Sequence, residues 1–139
     1  MAEMVTRSLV AAVSLESVEA VYDLLGSWWD ELGDVAPRTR FAFETAVVEI
    51  AGNIVEHSVA AQGADGRHFT LALQGDARLL RATFQDDAQP AELDLSAVTM
   101  ADADSEDGRG LALALASVDT LEYRYENGRN IWSLECRRE

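Results

Sequence analysis

Three side chains able to do polar chemistry recur at one spacing inside an otherwise apolar stretch, FETAVVEIAGNIVEHSV at residues 43–59. They are Glu49, Asn53 and His57, each four residues after the last. Phe43, Val47, Ile50 and Ile54 recur at helical spacing in the same stretch and form a core stripe. Successive helical residues turn by about 100°, so the polar row lies on the border of that stripe, where a cleft can open. A carboxylate and an amide one turn apart can face one ligand. The amide oxygen is a hard donor suited to Mg²⁺, and the carboxylate can take a proton or orient water. By spacing alone the row also reads as an ordinary polar flank.

Two further features carry chemistry. Asp86 ends a strand pattern in FQDDAQP, where its carboxylate can accept a hydrogen bond from an exocyclic amine. A strand-terminating turn Asp is the plainer reading. In EDGRGLALAL, residues 106–115, Gly108 and Gly110 flank Arg109 ahead of an apolar helix. Backbone amides there, with the helix N-terminus, would make an anion site, although a lone Gly-x-Gly is often only a turn.

Elements to hold these residues can be read along the chain. Residues 6–13 suggest a first strand, and Ser14 is a candidate N-cap for a helix over 15–32. In that helix Val18, Val21, Tyr22, Leu25, Trp28, Trp29 and Leu32 share helical spacing. Pro37 suits the first turn of the second helix. Phe69, Leu71 and Leu73 alternate with polar or small residues, as do Leu80, Ala82 and Phe84, and Gly75-Asp76 predicts a tight hairpin turn between them. Residues 86–108 are acidic, without a basic residue, and predict a loop with one short helix. A helix is expected from Gly110, with Leu111, Leu115 and Val118 on one face. Leu121, Tyr123 and Tyr125, then Trp132, Leu134 and Cys136, alternate on either side of Asn127-Gly128, a type I′ turn signal. The expected order is β-α-α-β-β-loop-α-β-β. Its two hairpins imply an α/β two-layer sandwich: a mixed, mainly antiparallel sheet covered on one face by helices.

Taken together and in order, the three boxes resemble the nucleotide-binding motifs of the Bergerat-fold, histidine-kinase-like ATPases. The closest resemblance is to the anti-sigma factor serine/threonine kinases, and it covers nearly the whole chain. EIAGNIVEHS resembles that family's helix motif, FQDDAQPAELDL its adenine box, and DGRGLALALASVDTLEYRYENGRNIWSLECRR its glycine box, closing helix and final hairpin. The resemblance implies ATP and Mg²⁺ as ligands. Glu49 would be the catalytic base or water-orienting carboxylate, Asn53 the Mg²⁺ ligand and Asp86 the adenine reader, with Gly108, Arg109 and Gly110 at the phosphates. For His57, helix packing is the simpler role. A sigma factor, an anti-anti-sigma-like antagonist protein as substrate, and a homodimer are implied as partners. The pattern departs from the family at Ala88 and Ala112, where glycines are usual, and at Pro90. A left-handed Ala88 would cost about 1–2 kcal/mol. These departures, with the acidic loop, leave open an alternative: a nucleotide- or partner-binding switch without kinase activity.

Composition is consistent with this. The chain has 139 residues, 48% of them hydrophobic, which suits one domain over residues 1–139 with a single core. Its formal net charge is −14, and all its basic residues are Arg, so phosphate backbones and anionic membranes are repelled. The one cysteine, Cys136, excludes an internal disulfide and reads as a packed thiol. His57 and His68 make no credible zinc set. MAEMVTRSLV lacks a charged n-region followed by an apolar h-region, and no apolar run reaches membrane-spanning length, so a soluble cytoplasmic protein is expected.

Overall fold

Period-two alternation decides which way the sheet faces. In the computed structural model, which describes residues 4–62, 68–87 and 116–138, five strands and two helices are laid out. They are β1 (Val5–Ala12), α1 (Glu16–Leu32), α2 (Pro37–Gln62), β2 (His68–Gly75), β3 (Leu79–Asp86), β4 (Thr120–Glu126) and β5 (Arg129–Arg137). The strand order is β1-β2-β3-β5-β4, and every described pairing is antiparallel. Phe69, Leu71 and Leu73 of β2, Leu80, Ala82 and Phe84 of β3, and Trp132, Leu134 and Cys136 of β5 are buried beneath the helices. The intervening residues form the other face, where Arg81 pairs with Glu135 directly across β3 and β5.

The helices supply the second layer. Phe43, Val47, Ile50 and Ile54 of α2 are buried as their spacing predicts, joined by Ala46, Ala51 and Val55. Pro37 is the first residue of α2. In α1 the buried set is Val21, Leu25, Trp28 and Trp29, together with Ser17. Tyr22 departs from the expected stripe and is 50% exposed. It directly follows Val21, so one helical step carries it out of the interface. Ser14 is not the N-cap either. Leu15 occupies that position without a side-chain hydrogen bond, while the Ser14 carbonyl accepts from the Ser17 N–H at 3.1 Å. The Ser17 hydroxyl, in turn, donates to the Ala12 carbonyl and ties the helix start to β1.

An aromatic cluster fastens the two helices together. The Trp28 and Trp29 ring centroids are 4.9 Å apart, and Phe43 lies 5.3 Å from Trp28 and 5.9 Å from Trp29. Each indole N–H finds an acceptor, Trp28 in the Val5 carbonyl at 2.9 Å and Trp29 in Glu44 Oε1 at 3.0 Å. Beyond it, Arg7 of β1 reaches α1, pairing with Glu31 at 3.0 Å and holding that carboxyl below the usual carboxylate range. An Arg at a helix-facing position is why β1 carries so weak a strand pattern.

The first hairpin differs from expectation. Its turn is Asp76-Ala77-Arg78, and Gly75 is the last residue of β2. Asp76 organises the turn: its Oδ1 accepts the Arg78 and Leu79 N–H groups at 2.8 and 2.9 Å, which also lowers its carboxyl pKa. Gly75 serves packing instead. A Cβ built there would lie 2.9 Å from Trp28 Cζ2 and 3.0 Å from Leu32 Cδ2. Gly75→Ala is therefore expected to destabilise the protein by about 1–3 kcal/mol through overpacking. A urea midpoint equal to the wild type would show that the α1–sheet interface has slack. The second turn follows expectation, with Asn127 at φ 54° and Gly128 at φ 76°.

Cys136 is buried among Leu80, its register partner, and the core of β5, and burial pushes its thiol up from 9.0 to about 11. The thiol stays protonated in the native state while the unfolded thiol ionises, so the unfolded state binds fewer protons. The contribution of this thiol to stability is therefore constant below pH 9 and falls between about pH 9 and 11. Cys136→Ala should flatten that part of the stability–pH curve. An unchanged slope in the variant would assign the loss to other groups.

Candidate functional site

Asp86 is the last residue of β3 and points to the helix-covered side, continuing the inward series Leu80, Ala82, Phe84. It is 7% exposed. A carboxylate so placed needs polar partners. The register supplies one: Asp86 lies opposite Asn130, at the start of β5. Asn130, 2% exposed, donates from Nδ2 to Asp86 Oδ1 at 2.8 Å. Tyr123 of β4 donates from its hydroxyl to Asn130 Oδ1. The Tyr123 ring is itself packed on Trp132, centroids 4.6 Å apart. On the other flank Asp86 faces Phe69, whose ring lies 6.1 Å from that of Phe84. The outcome is a carboxylate held at the end of the sheet between an aromatic floor and a polar chain that crosses three strands.

Glu49 and Asn53 are half-buried on α2, each one residue ahead of a buried core residue, Ile50 and Ile54. They flank the helix that packs across β3 and β5, the strands that carry Asp86 and Asn130. Glu44, on the same helix, is committed to the Trp29 indole, which marks it as a packing carboxylate in contrast to Glu49. The donors fit a Mg-nucleotide: hard oxygens one turn apart for the cation and its water shell, and a buried acceptor for an exocyclic amine. Among the described residues, no group of three His, Cys, Asp or Glu side chains is arranged to hold a metal.

Gly108, Arg109 and Gly110, with Ala88, Pro90 and Ala112, lie outside the described residues, as do residues 88–108 of the expected loop and residues 110–115, where a helix is expected to begin. His57 falls on α2, but its side chain is outside the described residues too. Sequence reasoning missed Asn130 and Tyr123 as site residues. The signal for Asn130 was present: it sits two residues before Trp132 in the inward series of β5, and an amide in an apolar series needs a partner.

Residues 11–135 match the family model of the histidine kinase-like ATPase domain. The chain belongs to that family. Membership in a family of ATPase domains implies nucleotide binding. Solved structures share the fold of this histidine kinase-like ATPase domain. One is that of the RsbU and RsbW domains of Rv1364c from Mycobacterium tuberculosis, with a TM-score of 0.65 and 23% identity over 95% of this chain. This chain spans 32% of that longer one. Another is the SiaB-SiaC complex from Pseudomonas aeruginosa, with a TM-score of 0.66 and 15% identity, covering 94% of this chain and 88% of that one. No curated protein matches the sequence. Among the described residues, no helix is long and apolar enough to cross a membrane.

Proposed function

We propose that this histidine kinase-like ATPase domain is an ATP-binding regulatory switch of the anti-sigma factor serine kinase type. The observation that carries the reading is the buried Asp86 carboxylate, fixed by Asn130 at the helix-covered end of the sheet. In this reading residues 1–139 act as one domain. Asp86 accepts the exocyclic amine of adenine. Asn53 offers its amide oxygen to Mg²⁺, and Gly108, Arg109 and Gly110 receive the phosphates. Mg²⁺, when bound, neutralises charge on the phosphates. Glu49 takes the proton of a Ser or Thr hydroxyl as that oxygen bonds to the γ-phosphorus and ADP leaves in line.

The partners in this reading are a sigma factor, which is sequestered, and a small anti-anti-sigma-like antagonist, which is phosphorylated. The fold shared with the SiaB-SiaC complex supports a protein partner of the second kind. A homodimer and a cytoplasmic location belong to the same reading, and the net charge of −14 argues against direct nucleic-acid contact. Ala88 and Ala112 favour a second reading, in which the domain binds nucleotide and partner without transferring phosphate. Calorimetric titration with Mg-ATP, followed by single-turnover phosphate transfer to a candidate antagonist, separates them. Binding with transfer supports the kinase, and binding alone supports the second reading. No heat at millimolar Mg-ATP removes both.

A further inference from the structure

The chain Tyr123–Asn130–Asp86 has only one consistent direction. A carboxylate has acceptors and no donor, so the Asn130 amide must turn Nδ2 toward Asp86. Its Oδ1 then faces Tyr123, and the tyrosine hydroxyl, which is able to donate or accept, must donate. Rotating the amide would set oxygen against oxygen in a buried place. The geometry of the strands supports the assignment. Asn130 is the direct register partner of Asp86 on one side and of Tyr125 on the other, so Tyr123 reaches it diagonally across β4 and β5. Its ring is fixed for that reach by Trp132.

We propose that Tyr123 is a specificity-positioning residue: through Asn130, its hydroxyl fixes the plane of the Asp86 carboxylate and so sets discrimination between adenine and purines lacking an exocyclic amine. The proposal rests on Asp86 as the adenine reader. Tyr123 does not touch the base. It sits on the outermost strand, and its effect passes through two hydrogen bonds to the one oxygen that Asn130 holds. A carboxylate gives a directional hydrogen bond only while its plane is held, and loosening the amide beside it widens the range of orientations.

The test is the dissociation constant for the triphosphate of purine riboside, which lacks the amine, divided by that for Mg-ATP. Tyr123→Phe keeps the ring on Trp132 and removes only the hydroxyl. It is expected to lower the ratio by about threefold to tenfold, the size of one hydrogen bond lost indirectly. A purely structural role would weaken both nucleotides equally and leave the ratio unchanged, which overturns the proposal. Replacing Tyr123 with 4-aminophenylalanine restores a donor at the same place and should restore the ratio, and failure of that rescue also overturns it. Asp86→Asn, measured alongside, keeps the two failures apart. If Asp86→Asn collapses the ratio and Tyr123→Phe does not, only the role of Tyr123 is wrong. If Asp86→Asn leaves the ratio intact, Asp86 does not read adenine, and the proposal falls with it.

Discussion

Glu49→Gln is expected to slow the proposed phosphate transfer by roughly 10²–10⁴-fold, as when a general base is removed, and to leave Mg-ATP affinity within about twofold. The amide is isosteric and uncharged, so the half-buried border of α2 keeps its shape while losing its proton acceptor. Asn53→Ala, one turn further, divides the effects the other way. Removal of the amide oxygen is expected to weaken nucleotide binding in Mg²⁺ and to have little effect in EDTA. The two residues flank the same packed stripe, so a folding defect from either should appear equally in a melting curve and can be subtracted. Rapid-quench transfer assays and titrations with and without Mg²⁺ measure the two quantities. Wild-type transfer by Glu49→Gln, together with normal Mg-ATP binding by Asn53→Ala, would remove both residues from the site.

Asp86→Asn should reverse base preference. The new side chain still offers an oxygen to Asn130, so the buried bond at 2.8 Å has a successor. What changes is its other group, now an amide donor where a carboxylate oxygen stood. Adenine presents a donor at that edge, and hypoxanthine and guanine present a carbonyl. ATP affinity is expected to fall by tenfold or more, and the ATP-to-ITP affinity ratio to shift by about 10²-fold, since a mispaired buried polar group costs about 1–3 kcal/mol on each side of the comparison. Asp86→Ala is a poorer probe, because it also takes the acceptor from Asn130. Competition titrations with ATP, ITP and GTP decide the matter, and an unchanged preference in Asp86→Asn would place the base elsewhere.

The sheet was legible in the sequence wherever one face was apolar and the other polar. β2, β3 and β5 alternate cleanly, and the Asn127-Gly128 turn allows few other geometries. β1 was faint because Arg7 occupies an inward position, where it reaches past the core to Glu31. Gly75 was misread as a turn residue because glycine serves turns and close packing alike, and only the position of Trp28 distinguishes them. Asp86 was visible as a carboxylate at a strand end. Its partners were not, since a diagonal bond from β4 and a register pair from β5 depend on which strands become neighbours. Strand order is a property of the whole sheet, and β5 lies between β3 and β4 against their order in the chain.

That inversion has a consequence in time. β2–β3 and β4–β5 are hairpins joined by short turns, and structures of that kind close in microseconds. Pairing β3 with β5 is of another order, because Asp86 and Asn130 are 44 positions apart along the chain. Bringing them together requires closing a long loop, a cost in entropy that neither hairpin carries alone. The bond between them is therefore expected to form after the two hairpins it joins. On the proposed reading, a nucleotide seated on Asp86 would recognise only the joined form and act as a clasp: it would lower the population of molecules in which the hairpins have parted, and leave the fraying of each hairpin at its own turn as it was.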